Sequence, residues 1–118
     1  MKASIIGATG YTGVELLRLL SGHPDVEVAY ITSESQTGAD IMDSYPHLRR
    51  FYSQALVSMD KMETILAESD AVFVALPHGH AMEVGKRARQ AKARVIDLGA
   101  DYRLDDTAVY EAWYKVPH

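Results

Sequence analysis

The chain has 118 residues, enough for the core of one domain and too few for a second of ordinary size. With 47% hydrophobic and 24% charged residues it reads as a soluble globular chain, which sets aside disorder, collagen-like repeats and coiled-coil arrays. Twelve Lys and Arg against sixteen Asp and Glu give a net charge of −4, which argues against nucleic acid, and zero cysteines exclude disulfides, cysteine-held metals and a cysteine nucleophile within this chain.

In chain order, Ala3 to Ile6 is an apolar run predicting a strand that stops at Gly7. A helical stripe follows at Gly13, Leu16, Leu17 and Leu20, with its end expected near Gly22 and Pro24 just beyond. Val26 to Ile31, rich in β-branched and aromatic residues, predicts a second strand. From Thr32 to Gln54 periodicity fails, and a long functional connection is expected around Tyr45-Pro46-His47-Leu48. Ala55 to Val57 reads as a short edge strand, and Met59, Met62, Ile65 and Leu66 as the stripe of a helix. Ala71 to Leu76 is an unbroken apolar run, the pattern of a strand buried on both faces. Ala81, Val84, Ala88 and Ala91 mark another helix, Arg94 to Leu98 another strand, and Thr107 to Tyr114 a last short helix. Alternation of this kind predicts an α/β fold, a doubly wound, mostly parallel sheet of the Rossmann type with helices on both faces.

Chemistry gathers where strands end. Gly7-Ala8-Thr9-Gly10-Tyr11-Thr12-Gly13 sits between strand and helix. There Gly7 suits a tight turn, Gly10 a close approach to a pyrophosphate and Gly13 the packing of helix on strand. The free N–H groups of the helix would face the anion, so the turn reads as a dinucleotide site, the alternative being a structural turn. The second strand ends in Thr32-Ser33-Glu34-Ser35, where NAD enzymes usually place an acidic residue on the ribose. Ser33 and Ser35 can donate to a 2′-phosphate, favouring NADP, whereas Glu34 would repel it if it pointed inward; a Ser-rich turn touching nothing is the alternative. Ala75-Leu76-Pro77-His78-Gly79 is expected to line the same crevice with its backbone. The His78-x-His80 spacing lacks the further ligands of a metal site, and no metal is expected. Arg103, in Asp97-Leu98-Gly99-Ala100-Asp101-Tyr102-Arg103, can fork to a phosphate or carboxylate. Equally, it can pair with Asp101, Asp105 or Asp106 on the surface. Lys86, Arg87, Arg89, Lys92 and Arg94 read as a solvated helix face, and Met59 and Met62 as core filler.

Together these motifs, with Val14-Glu15-Leu16 after the glycine turn, Leu104 after Arg103 and Tyr110-Glu111-Ala112-Trp113-Tyr114, resemble the N-acetyl-γ-glutamyl-phosphate reductase family nearly end to end. The resemblance implies reduction of N-acetyl-glutamyl 5-phosphate to N-acetylglutamate 5-semialdehyde by NADPH in arginine biosynthesis. A cysteine thiolate would attack the acyl carbon and a histidine assist, both lying beyond the equivalent of His118. The cofactor residues expected are Gly7, Thr9, Gly10, Tyr11, Thr12, Gly13, Ser33, Ser35 and Ala75 to Gly79. Arg103 matches an arginine with which related semialdehyde dehydrogenases hold the substrate phosphate.

The chain is thus expected to be the incomplete amino-terminal NADP-binding domain of a longer reductase, inactive by itself, with an exposed apolar patch and a tendency to associate. The full-length protein would be a homo-oligomer acting on a small-molecule acyl phosphate. The rivals are the reductases of aspartyl phosphate or carrier-linked aminoadipyl phosphate and, outside enzymes, a free-standing dinucleotide-sensing module. No stretch approaches the roughly 18 apolar residues of a membrane span, and the start lacks a long apolar leader, so a cytoplasmic protein is expected.

Overall fold

In the computed structural model, which describes every residue except 9, 34, 35, 49–51, 53 and 92, the first apolar run forms β1 (Lys2–Ile6). Ala3 to Ile6 are all buried, so this strand has cover on both faces and lies inside the sheet. β2 (Glu27–Ile31), β3 (Ala71–Val74) and β4 (Arg94–Asp97) join it in the order β2-β1-β3-β4, every pair parallel. The sheet grows from β1 towards β2, then resumes on the other side with β3. That reversal opens a crevice outside the carboxyl ends of β1 and β3, where such sheets bind ligands.

Alternation along β1 decides which helix covers which face. Ile5 packs with Leu17 of α1 (Tyr11–Leu20), Val28 and Ile31. Ile6 points the other way, towards Met62 and Leu66 of α3 (Met62–Glu68) and Val84 and Ala88 of α4 (Ala81–Gln90). On β3, Val72 and Val74 join the second cluster and Phe73 the first, as expected for a strand buried on both faces.

Three stretches differ from the sequence reading. The segment after β2 is folded rather than open: it forms α2 (Ile41–Ser44) and a 3-10 turn at Pro46–Leu48. Ile41, Leu48 and Tyr52 from this stretch are buried beside Leu17. The Tyr52 hydroxyl donates to the Leu17 carbonyl at 2.6 Å, and burial pushes its pKa up to about 12, so it stays a donor. Its core anchors fall at irregular spacing, which is why no period betrayed them. Ala55 to Val57 is not a full strand but two isolated bridges, parallel between Thr32 and Val57 and antiparallel between Asp40 and Ala55. β4 is less covered than its apolar sequence suggests: Arg94 and Ile96 are exposed, because α4 covers one face of this edge strand and no described element covers the other.

The remaining elements match. α1 stops at Leu20, with Ser21 donating to the Leu17 carbonyl at 3.0 Å. A 3-10 turn at Met59–Lys61 leads into α3, and α5 (Thr107–Tyr114) begins where the Asp106 carboxylate accepts from the Ala108 N–H at 2.8 Å.

Candidate functional site

Gly7 leaves β1 at φ +87°, and a Cβ there would stand 2.5 Å from the Ala75 carbonyl oxygen. The turn and the contact with the loop after β3 both require glycine. Its N–H donates to the Thr32 hydroxyl at 3.1 Å and the Ala8 N–H to the Thr32 carbonyl at 3.0 Å, so the end of β2 braces the turn. A Cβ on Gly13 would lie 2.5 Å from the Ala8 Cα, so it is against the turn after β1, and not the strand expected, that the helix packs here. Gly10 differs: it precedes α1 with extended backbone, and a Cβ there would meet nothing within 4 Å. Two of the three glycines are therefore required by the protein's own backbone, and the third opens onto the crevice.

The first turn of α1 carries no acidic residue, and Tyr11 and Thr12 are exposed. The N–H groups of Tyr11, Thr12 and Gly13 have no acceptor within the helix, so they present a positive helix end to the crevice.

The N-terminus of α4 lies at the same edge and already has a carboxylate seated on it. The Asp101 carboxylate, 1% exposed, accepts from the Gly79 N–H at 2.9 and 3.1 Å and from the Ala81 N–H at 3.0 Å. The buried Tyr110 hydroxyl donates to it at 2.6 Å. Burial pushes this carboxyl up, but the bonds from Gly79, Tyr110 and Ala81, with His78 nearby, outweigh it and hold the pKa below the ordinary value. Burial, then the bond to Asp101, pushes Tyr110 up to about 12, so it remains a donor. An incoming anion thus finds one helix end open, at α1, and one filled by the protein's own carboxylate, at α4.

The other expected residues fall around this crevice. Ala75 to Gly79 follow β3 beside the glycine turn; Ala75 and Leu76 are half-buried, and Pro77, His78 and Gly79 exposed. Leu76 also borders a cavity of about 440 Å³ lined by Met59, Met62 and Val84, with Asp60, His80, Glu83 and Arg87. Met59, read as filler, therefore lines open space as well. Ser33 is 3% exposed at the end of β2, where its hydroxyl accepts from the Gln36 N–H at 3.2 Å. Thr9, Glu34 and Ser35, and Lys92 of the basic helix face, lie outside the described residues. Arg87 pairs with Glu83 at 3.0 Å and with Glu63 at 3.8 Å, and Lys86 and Arg89 are exposed, as on a solvated face.

Arg103 is exposed after the carboxyl end of β4, its Nη2 donating to the Leu98 carbonyl at 3.4 Å. Among the described residues it forms no ion pair, so Asp101 is not its partner. Asp101 is instead the bracket of the 77–81 loop, a role that its exposed-looking sequence context concealed. The His78 ring packs on Tyr114 at 4.5 Å between centroids, and among the described residues no group of three acidic or histidine side chains could hold a metal ion. Nor is any described helix long and apolar enough to cross a membrane.

Beyond the crevice, Leu104, Val109, Trp113 and Tyr114 line an open apolar pocket of about 240 Å³, with Trp113 78% exposed. Ile96 and Leu98 are partly exposed along β4.

Residues 2–115 match the family described as "Semialdehyde dehydrogenase, NAD binding domain". Over all 118 residues the chain is 49% identical to N-acetyl-gamma-glutamyl-phosphate reductase of Pelotomaculum thermopropionicum and 52% identical to that of Bordetella pertussis, covering 34% and 33% of those proteins. It spans about a third of the length of the curated relatives it matches. Among solved structures it is similar to aspartate semialdehyde dehydrogenase with NADP from Candida albicans, with a TM-score of 0.75 and 25% identity over 90% of this chain and 31% of that one. A Rex-family repressor shares the fold alone, with a TM-score of 0.66 and 16% identity over 97% of this chain and 57% of that one.

Proposed function

Because this chain belongs to the semialdehyde dehydrogenase NAD-binding family, and relatives about 50% identical to it are named reductases of N-acetyl-γ-glutamyl phosphate, we propose that it is the NADP-binding part of such a reductase. The observation that carries the proposal is the open, acid-free start of α1 at Gly10, set beside an α4 terminus closed by Asp101. The space beside Gly10 is free of other atoms for at least 4 Å around an added Cβ, and a diphosphate there would meet the backbone N–H groups that open α1.

In this reading Gly7, Thr9, Gly10, Tyr11, Thr12 and Gly13 receive the pyrophosphate, and Ala75 to Gly79 form the facing wall. Ser33 and Ser35 act as donors to the 2′-phosphate at the end of β2. NADPH, when bound, supplies the hydride for reduction of N-acetyl-glutamyl 5-phosphate to N-acetylglutamate 5-semialdehyde, with release of phosphate. This chain's share is to bind and orient. Arg103, whose guanidinium is exposed and not ion-paired among the described residues, binds the phosphate of the substrate. The thiolate and the acid–base histidine belong to a part of the reductase outside these 118 residues, so the chain alone is inactive. The setting is the cytoplasm, and the full-length enzyme is a homo-oligomer.

Calorimetric titration of the chain with NADP⁺ and NAD⁺ tests the reading. The expected outcome is binding of NADP⁺ in preference to NAD⁺. A folded chain that binds neither would overturn the cofactor assignment, and equal binding would overturn the assignment of the serines.

A further inference from the structure

We propose that Asp101 is the positioning residue of the crevice's second wall, its carboxylate clamping the Gly79 and Ala81 N–H groups under the hold of Tyr110, so that the docking of α5 sets the loop the cofactor meets. The inference rests on the reading that the crevice takes NADP.

Three donors from two separate segments converge on this one carboxylate: Gly79, Ala81 and the Tyr110 hydroxyl. Gly79 stands at φ +87°, a conformation held here by the bond its own N–H makes. Without Asp101, the N–H groups of Gly79 and Ala81 lose the acceptor they share, in a loop with no regular structure of its own to replace it. Local capping would be the simpler way to stabilise α4, yet His80, which precedes the helix, makes no side-chain cap bond. The cap comes instead from a residue 20 positions further on, tied to α5.

Further contacts couple the same pieces. The His78 ring lies 4.5 Å from that of Tyr114, which lies 5.0 Å from that of Tyr110. His118 Nε2 stands 2.6 Å from the Asp101 carbonyl oxygen. The clamp acts at Gly79 and Ala81; the glycine turn touches the start of that loop, where Gly7 lies against Ala75, and is braced from the end of β2 by Thr32. Loosening α5 should therefore disturb one wall of the crevice and leave the other.

The test measures NADP⁺ affinity by calorimetry and amide hydrogen exchange by NMR in the wild-type chain and in Asp101→Asn, Tyr110→Phe and Tyr52→Phe. Asp101→Asn is expected to weaken NADP⁺ roughly tenfold or more, and Tyr110→Phe roughly three- to tenfold. Exchange should quicken at Gly79 and Ala81 in both, with protection at Ala8 and Val14 unchanged. Tyr52→Phe deletes a buried hydroxyl bond of the same 2.6 Å length towards the far end of α1, so it loses stability and keeps its affinity. If Asp101→Asn does not fold, Tyr110→Phe decides, since it retains the ring. Variants that bind NADP⁺ as the wild type does while Gly79 and Ala81 exchange freely would overturn the inference, and so would a matching loss of affinity in Tyr52→Phe. A folded wild type that binds no NADP⁺ would overturn the cofactor reading and this inference with it.

Discussion

Gly7, Gly10 and Gly13 are one residue type meeting three different demands, and substitutions can separate them. At Gly13 an added methyl runs into the backbone of Ala8 at 2.5 Å, and neither helix nor turn can move aside cheaply. Gly13→Ala should therefore cost about 1–3 kcal/mol, read as a lowered urea midpoint with unchanged slope. At Gly10 the space is empty, so Gly10→Val loses only a cap preference of about 1 kcal/mol. It should nonetheless abolish NADP⁺ binding, because the isopropyl group fills the place proposed for the pyrophosphate. Retained binding in a folded Gly10→Val chain would remove that residue from the site. The glycine pattern was legible in the sequence. The Thr32 hydroxyl that braces the turn was not, because its partner is the Gly7 N–H, 25 residues away.

Among the elements, α4 shows most clearly how cover and charge arrive from a distance. Its cap is a carboxylate whose pKa lies below the ordinary value. An acid that is stronger in the folded chain than in the unfolded one contributes stability above its unfolded pKa of about 3.9, and loses it as pH falls through the lower folded value. His78, Tyr102 and Tyr110 face this group, and His118 contacts its backbone carbonyl; both tyrosines stay protonated throughout, and the nearby His78 favours the ionised carboxylate. Urea unfolding of wild type and Asp101→Asn from neutral pH down to about pH 2 should show a gap that narrows as Asp101 protonates. A gap constant with pH would mean that its ionisation does not matter. The strands and the helices α1, α3, α4 and α5 were readable because their apolar residues recur at the period of each element. α2 and its neighbours were not, since Ile41, Leu48 and Tyr52 share a core without sharing a period.

Taken as one body, the described chain is closed along α4 and exposes apolar side chains along β4 and α5, with Tyr11 and Leu19 of α1 exposed as well. Ile96, Leu98, Leu104, Val109, Trp113 and Tyr114 are all at least partly exposed, which is what the proposal of a chain that packs against further parts of a reductase expects. The chain by itself should bind an apolar dye and sediment with a concentration-dependent mass, and Trp113→Glu should reduce both. A monomer that binds no dye at high concentration would count against the apolar face, and association undiminished in Trp113→Glu would place it elsewhere.

Local information decided a good deal about this protein. The alternation of apolar runs sets a parallel α/β sheet, because each run can be buried only as its own period allows, and the three glycines announce the turn that such a sheet opens to a ligand. Distance decided the rest. That the start of α1 is open while that of α4 is closed depends on Asp101 folding back over 20 residues to meet Ala81. That Arg103 forms no pair with that aspartate depends on the same burial. Hydrogen bonds of this kind are made by residues with no periodic relation to one another, so they exist only once the sheet has brought the ends of its strands together.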